Sequence, residues 1–328
     1  IDGNNISFII PDGLENLTFA PTIVISDKAT ITPASGVEQD FSSPVIYTVT
    51  SEDGIVTTKY TVSVSGQIRD FGFDEWETIK SSTSGSTEQY DVPKGLYGTS
   101  NPGIMTINEM FGSNLPELFS YTVSPVEGQS GKAAKLQTVY TYMFLNGMDF
   151  NALLGGLVPY VTAGSLFTGI FKTDMNNTLN STKFGVPFVG EPATFTGYYK
   201  YTPGTTYYNN KNEVVANKTD ECSIYAVLYE ELLDEENNNI PLNGDYNDPD
   251  LYIGSSKRIV MKAVLEDGTA KSDWTKFSIP FKLLEGKSYD ATKKYYLAIV
   301  CSSSAEGDYF MGAPGSTLFI DSFTVTPQ

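Results

Sequence analysis

Apolar and polar residues alternate with a period of two along most of this chain. In the stretch 195–201, Phe195, Gly197, Tyr199 and Tyr201 fall on one face, and Thr196, Tyr198 and Lys200 on the other. Further strand signals fall at 133–139, 223–229, 258–265, 275–281 and 295–300. Helical period is weak, with one possible turn at 152–157. In the first 66 residues about seven short strands are cut by turns, a β-sandwich pattern of immunoglobulin type. Val45, Tyr47 and Val49 alternate with Ile46, Thr48 and Thr50. Glu52-Asp53-Gly54 then turns the chain, and Val56, Thr58, Tyr60, Val62 and Val64 line one face of the return strand. The phrasing changes near Ser65-Gly66-Gln67. The expected organisation is therefore all-β, with an Ig-like β-sandwich spacer over 1–66 and a larger double-sheet jelly roll over 67–328. No period of 20–50 residues recurs, which excludes a solenoid or propeller.

The stretch 150–171 is uncharged and long enough to span a bilayer. Gly155, Gly156, Pro159, Gly164 and Gly169 break it, and it reads as loop plus strand, so no transmembrane segment is expected. No signal-peptide pattern opens the sequence at Ile1; any lipid anchor is expected outside it. Tyr 21 and Phe 19 against Trp 2 suit pleated surfaces. Lys+Arg 21 against Asp+Glu 39 gives a net charge of -18, which repels phosphate backbones and argues against nucleic acid as a partner. The two arginines, Arg69 and Arg258, are too few for a multi-arginine anion clamp. The absence of histidine removes His-based triads, His zinc sites and imidazole bases. Cys222 and Cys301 each sit in a predicted strand; a disulfide and two buried thiols are both open.

Several phrases in order resemble one bacterial family. They include Phe73-Asp74-Glu75-Trp76, Tyr97-Gly98-Thr99-Ser100-Asn101-Pro102-Gly103, and Ala163-Gly164-Ser165-Leu166-Phe167-Thr168-Gly169. The pieces at 184–188, 197–204 and 222–230 continue the series, and Gly307-Asp308-Tyr309-Phe310 and Gly315-Ser316-Thr317-Leu318-Phe319-Ile320-Asp321 close it. Together they resemble the "putative carbohydrate metabolism domain" family, and 40–62 resembles the Ig-like modules that precede bacterial surface enzymes and binding domains. The resemblance implies a jelly roll like those of carbohydrate-binding modules, with an oligo- or polysaccharide partner. It also implies a secreted or outer-membrane surface-anchored lipoprotein, with outer-membrane glycan-uptake partners.

A sugar site needs flat aromatic plates with directed hydrogen bonds beside them. Trp274 shares the polar face of its strand with Lys276 and Ser278, opposite Phe277, Ile279 and Phe281. Trp76, Tyr97 and Asn101 fall at predicted loops or strand ends, and Tyr199 lies in the tyrosine-rich strand. These five are the candidate ligand residues. The bland readings beside them are a buried Trp, turn chemistry at Asn101-Pro102-Gly103, and ordinary sheet packing. Asp321 shares its predicted face with Phe319 and Phe323, so its carboxylate needs a partner. The carbohydrate-binding resemblance implies a structural Ca²⁺ between a last-strand acid and one near the first strand, here Asp321 with Asp74 or Glu75; hydrogen bonds to backbone amides are the alternative. The acidic runs 230–236 and 245–250 read as solvated loops. Three functions remain open: non-catalytic glycan recognition, which is favoured; a glycoside hydrolase using a carboxylate pair; and a structural or adhesion subunit.

Overall fold

A computed structural model describes residues 3–10, 17–41, 44–67 and 69–328, with nothing said of the side chains of Ser65 and Gln67. Ser42 and Ser43 of the 40–62 resemblance lie outside the described residues. The chain forms two compact units. The first comprises 1–70 with 189–193 and 325–328; the second comprises 71–188 and 194–324.

In the first unit the strands are β1 (Asn5–Ile10), β2 (Thr30–Thr32), β3 (Val45–Thr50) and β4 (Thr57–Gln67), paired in the order β1-β4-β3-β2. β1 runs parallel to β4, and the other pairs are antiparallel. A second ladder joins Thr18–Phe19 to Gln39–Asp40. Phe41, Tyr47 and Val62 are buried between them, with Phe8 edge-on to Phe19 and Phe41 at 5.9 and 5.3 Å. The β3–β4 turn is held by its own polar groups. Ser51 Oγ donates to Asp53 Oδ1 at 2.6 Å, and Gly54 takes φ 72°, a conformation open to glycine.

In the second unit the elements around the core and the site are β5 (Tyr97–Thr99), α1 (Asn101–Phe111), β6 (Val123–Glu127), β7 (Lys132–Gln137), α2 (Phe150–Leu153) and β8 (Ser165–Phe171). They continue with β9 (Pro192–Thr202), β10 (Ser223–Glu230), β11 (Ile259–Val264), β12 (Lys271–Pro280), β13 (Lys282–Leu283), β14 (Tyr295–Ser302) and β15 (Thr317–Pro327). One sheet has the order β5-β8-β14-β10-β11-β13 and the other β6-β7-β15-β9-β12. The result is an all-β sandwich. Leu166, Ile224, Leu228, Ile299 and Cys301 of the first sheet are sealed from solvent, as are Leu136, Phe195, Leu318, Ile320 and Phe323 of the second. Phe195, Phe277 and Phe323 meet edge to face at 5.0–5.5 Å. A Cβ at Gly197 would stand 2.3 Å from Phe323, so only glycine lets these rings close over β9.

Two features depart from simple alternation. β10 and β14 are buried on both faces, because the outer face of their sheet carries a second apolar cluster. Phe167, Val227, Tyr229, Ala298 and Val300 are covered there by Phe184 of the short strand Thr182–Phe184, which pairs with β8, and by Leu242 and Ile253 from the long loops. Arg258 clamps that cover, donating to the carbonyls of Glu230 at 3.0 Å and Ile240 at 2.7 Å with its guanidinium 5.0 Å from the Tyr229 ring. In β15, Ser322 takes φ 52°, and the burial pattern changes phase around it. Leu318 and Ile320 face the core before this irregularity, Phe323 and Val325 after it. Phe319 is half-buried under Lys200, so it does not share a face with Phe323 as strict alternation predicted.

Candidate functional site

The helix α1 begins where a turn was expected. Proline in its first turn costs no intrahelical hydrogen bond, and Ile104, Ile107 and Phe111 recur at helical spacing. Asn101 therefore opens a helix and is fully buried. Its Nδ2 donates to the carbonyls of Asp91 at 3.1 Å and Val123 at 2.8 Å, and its Oδ1 accepts from Val123 N–H at 2.9 Å and Thr122 Oγ1 at 3.1 Å. It ties α1 to its neighbours and has no amide group left for a ligand. Tyr199 is likewise buried and hydrogen-bonded within the protein. It is 2% exposed, its hydroxyl donates to the Asp267 carbonyl at 3.0 Å, and burial pushes its pKa up to about 12.

The remaining aromatic candidates are half-buried and engaged. Trp76 Nε1 donates to the Phe73 carbonyl at 2.6 Å. The Tyr97 ring lies 5.5 Å from Phe73, and its hydroxyl donates to Gly72 O at 3.3 Å. Lys200 Nζ sits 4.8 Å from the Trp274 ring centroid, covering one face of that plate. None of the five expected residues lines either the open cleft or the apolar chamber of this unit.

Asp74 and Asp321 converge on the turn between β6 and β7. Asp321 Oδ2 accepts from the N–H groups of Gln129 at 2.7 Å and Ser130 at 3.1 Å; Asp74 Oδ1 accepts from Lys132 N–H at 2.9 Å. A Cβ at Gly131 would stand 2.0 Å from Asp74 Oδ1, and one at Gly128 would stand 2.6 Å from Asp321 Oδ2. Backbone amides present positive dipoles to both carboxylates, whereas Ca²⁺ needs a shell of oxygens. No group of three or more acidic, Cys or His side chains suited to a metal occurs among the described residues. Both carboxylates are held by backbone amides of this turn. Cys222 and Cys301 are free and buried. Burial pushes the Cys222 thiol up to about 12, far from a reactive thiolate.

Sequence reading missed a run of partly exposed aromatics. Tyr140, Tyr142 and Phe144 alternate with the buried Thr141 and Met143, a period of two in Tyr140-Thr141-Tyr142-Met143-Phe144 that was there to be found. Asn151 of α2 fixes this segment from behind. It accepts from Met143 N–H at 2.6 Å and donates to the Thr141 carbonyl at 2.9 Å. The rings form a row. Tyr208 stacks on Tyr140 at 5.0 Å, Tyr140 lies 5.6 Å from Tyr142, and Tyr142 lies 5.8 Å from Tyr160 and 6.2 Å from Phe144. All four tyrosines are partly exposed, and Phe144 is 61% exposed. Polar groups border them. Tyr140 donates to Asn212 Oδ1 at 2.5 Å, and Tyr160 donates to Asp149 Oδ2 at 3.0 Å. Burial raises both phenol pKa values, and for Tyr160 the Asp149 carboxylate raises it further, so both hydroxyls stay neutral donors.

Tyr160 also lines an open cleft of about 460 Å³ with Asn176, Asn177, Asn210 and Tyr246. The Tyr246 ring stacks on Tyr309 at 5.1 Å. Leu157, Val158, Pro159, Met175, Leu179 and Phe310 separate this cleft from a second cavity of about 250 Å³ and line both. That chamber lies between α1, the outer face of β8 and the 173–184 loop. Asp308, whose carboxylate accepts from the Tyr252 hydroxyl, is the only carboxylate lining either cavity among the described residues.

The sequence matches known families along nearly its whole length. Residues 72–326 match the family described as "Putative carbohydrate metabolism domain", and residues 1–64 match "SGBP, N-terminal", the N-terminal domain of surface glycan-binding proteins. No curated protein matches the chain. Among solved structures, a protein of Bacteroides thetaiotaomicron described as a putative glycoside hydrolase is 32% identical, with a TM-score of 0.63, covering 100% of this chain and 92% of its own. A second from Bacteroides vulgatus, described in the same words, is 27% identical with a TM-score of 0.57, covering 77% of this chain and 96% of its own.

Proposed function

We propose that this chain, which belongs to the putative carbohydrate metabolism domain family, recognises a glycan without cleaving it, on the row Tyr208–Tyr140–Tyr142–Tyr160 and the cleft beside it. The observation that carries the reading is the row itself: four partly exposed rings in contact with one another, with Asn and Asp groups at their edges. A pyranose offers a C–H face to such plates and hydroxyls to the bordering amides. The surface charge of -18 favours a neutral glycan. The N-terminal match to surface glycan-binding proteins supports a place at the cell surface or outside it, beside outer-membrane glycan-uptake partners. No helix among the described residues is long and apolar enough to cross a membrane.

Hydrolysis is the second reading, because both solved relatives are described as putative glycoside hydrolases. It needs two carboxyl groups about 5–5.5 Å or about 6.5–9.5 Å apart across the scissile bond. Asp308 is the one carboxylate lining the two cavities among the described residues and Asp149 borders the row at Tyr160, so a hydrolytic pair would have to be drawn from these.

The test is affinity electrophoresis against a panel of neutral polysaccharides, with product analysis of each one that binds. Tyr142→Ala is expected to weaken binding by roughly 5- to 30-fold, about 1–2 kcal/mol for a lost stacking plate, with an unchanged melting profile. Tyr142→Phe is expected to keep most of the affinity. Reducing-sugar release would replace this reading with hydrolysis. Loss of binding in Trp274→Ala with Tyr142→Ala unaffected would move the platform to the other sheet.

A further inference from the structure

The chamber beside the cleft has a chemistry that a bare sugar does not fit. Met110 and Phe111 of α1, Phe171 of β8, and Met175, Leu179 and Phe310 from the loops give it a carbon wall. Three of its serine hydroxyls are already committed within the protein, while Thr182 Oγ1, which also lines it, is buried without a hydrogen-bond partner. Ser302 donates to the Ser304 carbonyl at 2.7 Å, Ser304 to Asp220 Oδ2 at 2.6 Å, and Ser100 is hydrogen-bonded to Thr122 Oγ1 at 2.6 Å. A sugar placed inside would leave hydroxyls unpaired, at roughly 1–3 kcal/mol each. The volume of about 250 Å³ exceeds the roughly 150 Å³ that suffices to hold a benzene ring. Met175, Leu179 and Phe310 line the polar cleft as well as the chamber, so the two cavities adjoin across these side chains.

We propose that the chamber holds an aryl or short acyl substituent of a decorated glycan whose sugar ring lies in the tyrosine-bordered cleft. This rests on the glycan-recognition reading and names the substrate class more narrowly: substituted over unsubstituted chains. The apolar group is drawn in by burial of its surface, and the sugar stays where amides and phenols answer its hydroxyls.

The chamber carries its own reporters, since Met110 and Met175 line it and Met148 does not, all three being exposed to a similar degree. In ¹³C-methyl-methionine spectra of the full chain, phenyl β-glycosides of glucose, galactose and xylose are titrated beside their methyl counterparts and benzyl alcohol. For at least one sugar the phenyl glycoside is expected to shift Met110 and Met175, leave Met148 in place, and bind at least tenfold tighter than the methyl glycoside. A Cβ at Gly103 meets only Phe171 Cζ, at 3.8 Å, so Gly103→Leu grows into the chamber without a clash at its first atom. It is expected to erase the phenyl preference, and Gly103→Ala to keep it. Unmoved Met110 and Met175 signals with every phenyl glycoside would overturn the proposal, as would a phenyl preference that survives in Gly103→Leu. Benzyl alcohol binding as tightly as the best phenyl glycoside would also overturn it, because the occupant would then be a free apolar molecule. Failure of the row reading is seen separately, as polysaccharide binding that survives Tyr142→Ala.

Discussion

At the scale of single residues, polar side chains in this protein mostly hold main chain. Asp321 is 2% exposed, and its Oδ2 takes two amide hydrogens of the β6–β7 turn. Asp321→Asn would remove the charge from both bonds and turn one oxygen into a donor facing N–H groups. We expect a loss of about 1–3 kcal/mol, the range for a charge-assisted buried bond. Because amides satisfy the carboxylate, the wild-type melting temperature should agree within about 1 °C in millimolar calcium and in chelator. A rise of several degrees with calcium would restore the metal expected from the resemblance, since a ligand bound only to the folded state stabilises it by mass action. The position of Asp321 late in the chain and of Asp74 early in the sandwich was legible in the sequence. Their hydrogen-bonding partners were not, because backbone amides leave no mark in a residue pattern.

At the scale of elements, α1 shows how a local signal can be read two ways. Ser100-Asn101-Pro102-Gly103 is turn chemistry by composition and a helix start by the apolar spacing of Ile104, Ile107 and Phe111 after it. The outcome depends on Ile104 and Ile107 finding a buried cluster with Met143 and Val158, a long-range contact. Asn101→Ala would strand the Val123 N–H and remove a donor from two carbonyls at the helix start. The expected cost is about 2–4 kcal/mol, read as a lower urea midpoint with an unchanged slope. A shift under about 0.5 kcal/mol would mean that α1 is tied down chiefly by its apolar face. The strands fared better: 195–201 agrees with β9 through its period of two, and 223–229 and 295–300 agree with β10 and β14 through their runs of apolar and aromatic residues, which suit a strand buried on both faces. Phase was lost in β15, where Ser322 at φ 52° re-aims the residues after it.

At the scale of the whole molecule, burial of many tyrosines sets an alkaline limit. Desolvation raises Tyr199 and Tyr229 to about 12, and Tyr201, Tyr207, Tyr225 and Tyr252 higher still. Above pH about 10 the unfolded chain releases these phenolic protons and the folded chain keeps them. The folded state then binds more protons, so stability is intact below pH about 10 and falls as pH rises beyond it. Tyrosinate absorbance from the buried rings should therefore appear together with loss of near-ultraviolet circular dichroism. A full tyrosinate signal at pH 10.5 with the fold intact would refute the burial of these phenols.

What the sequence determined by itself was the all-β class, most strand positions, the exclusion of histidine chemistry, and the family resemblance. These come from composition and from the two-residue period, both properties of neighbours along the chain. Only the tertiary structure decided which aromatics meet and which are consumed. Tyr199 and Asn101 looked available because pattern reports the face of a strand or the chemistry of a turn, and neither says what covers that face. Tyr140, Tyr142, Tyr160 and Tyr208 come from separate segments, and their row exists only where the 139–162 ladder meets the 205–215 loop. The chamber beside them likewise needs α1, β8 and the 173–184 loop brought together. A concave site is made of residues distant in sequence, and their convergence is fixed by the packing of a core that no single segment can form alone.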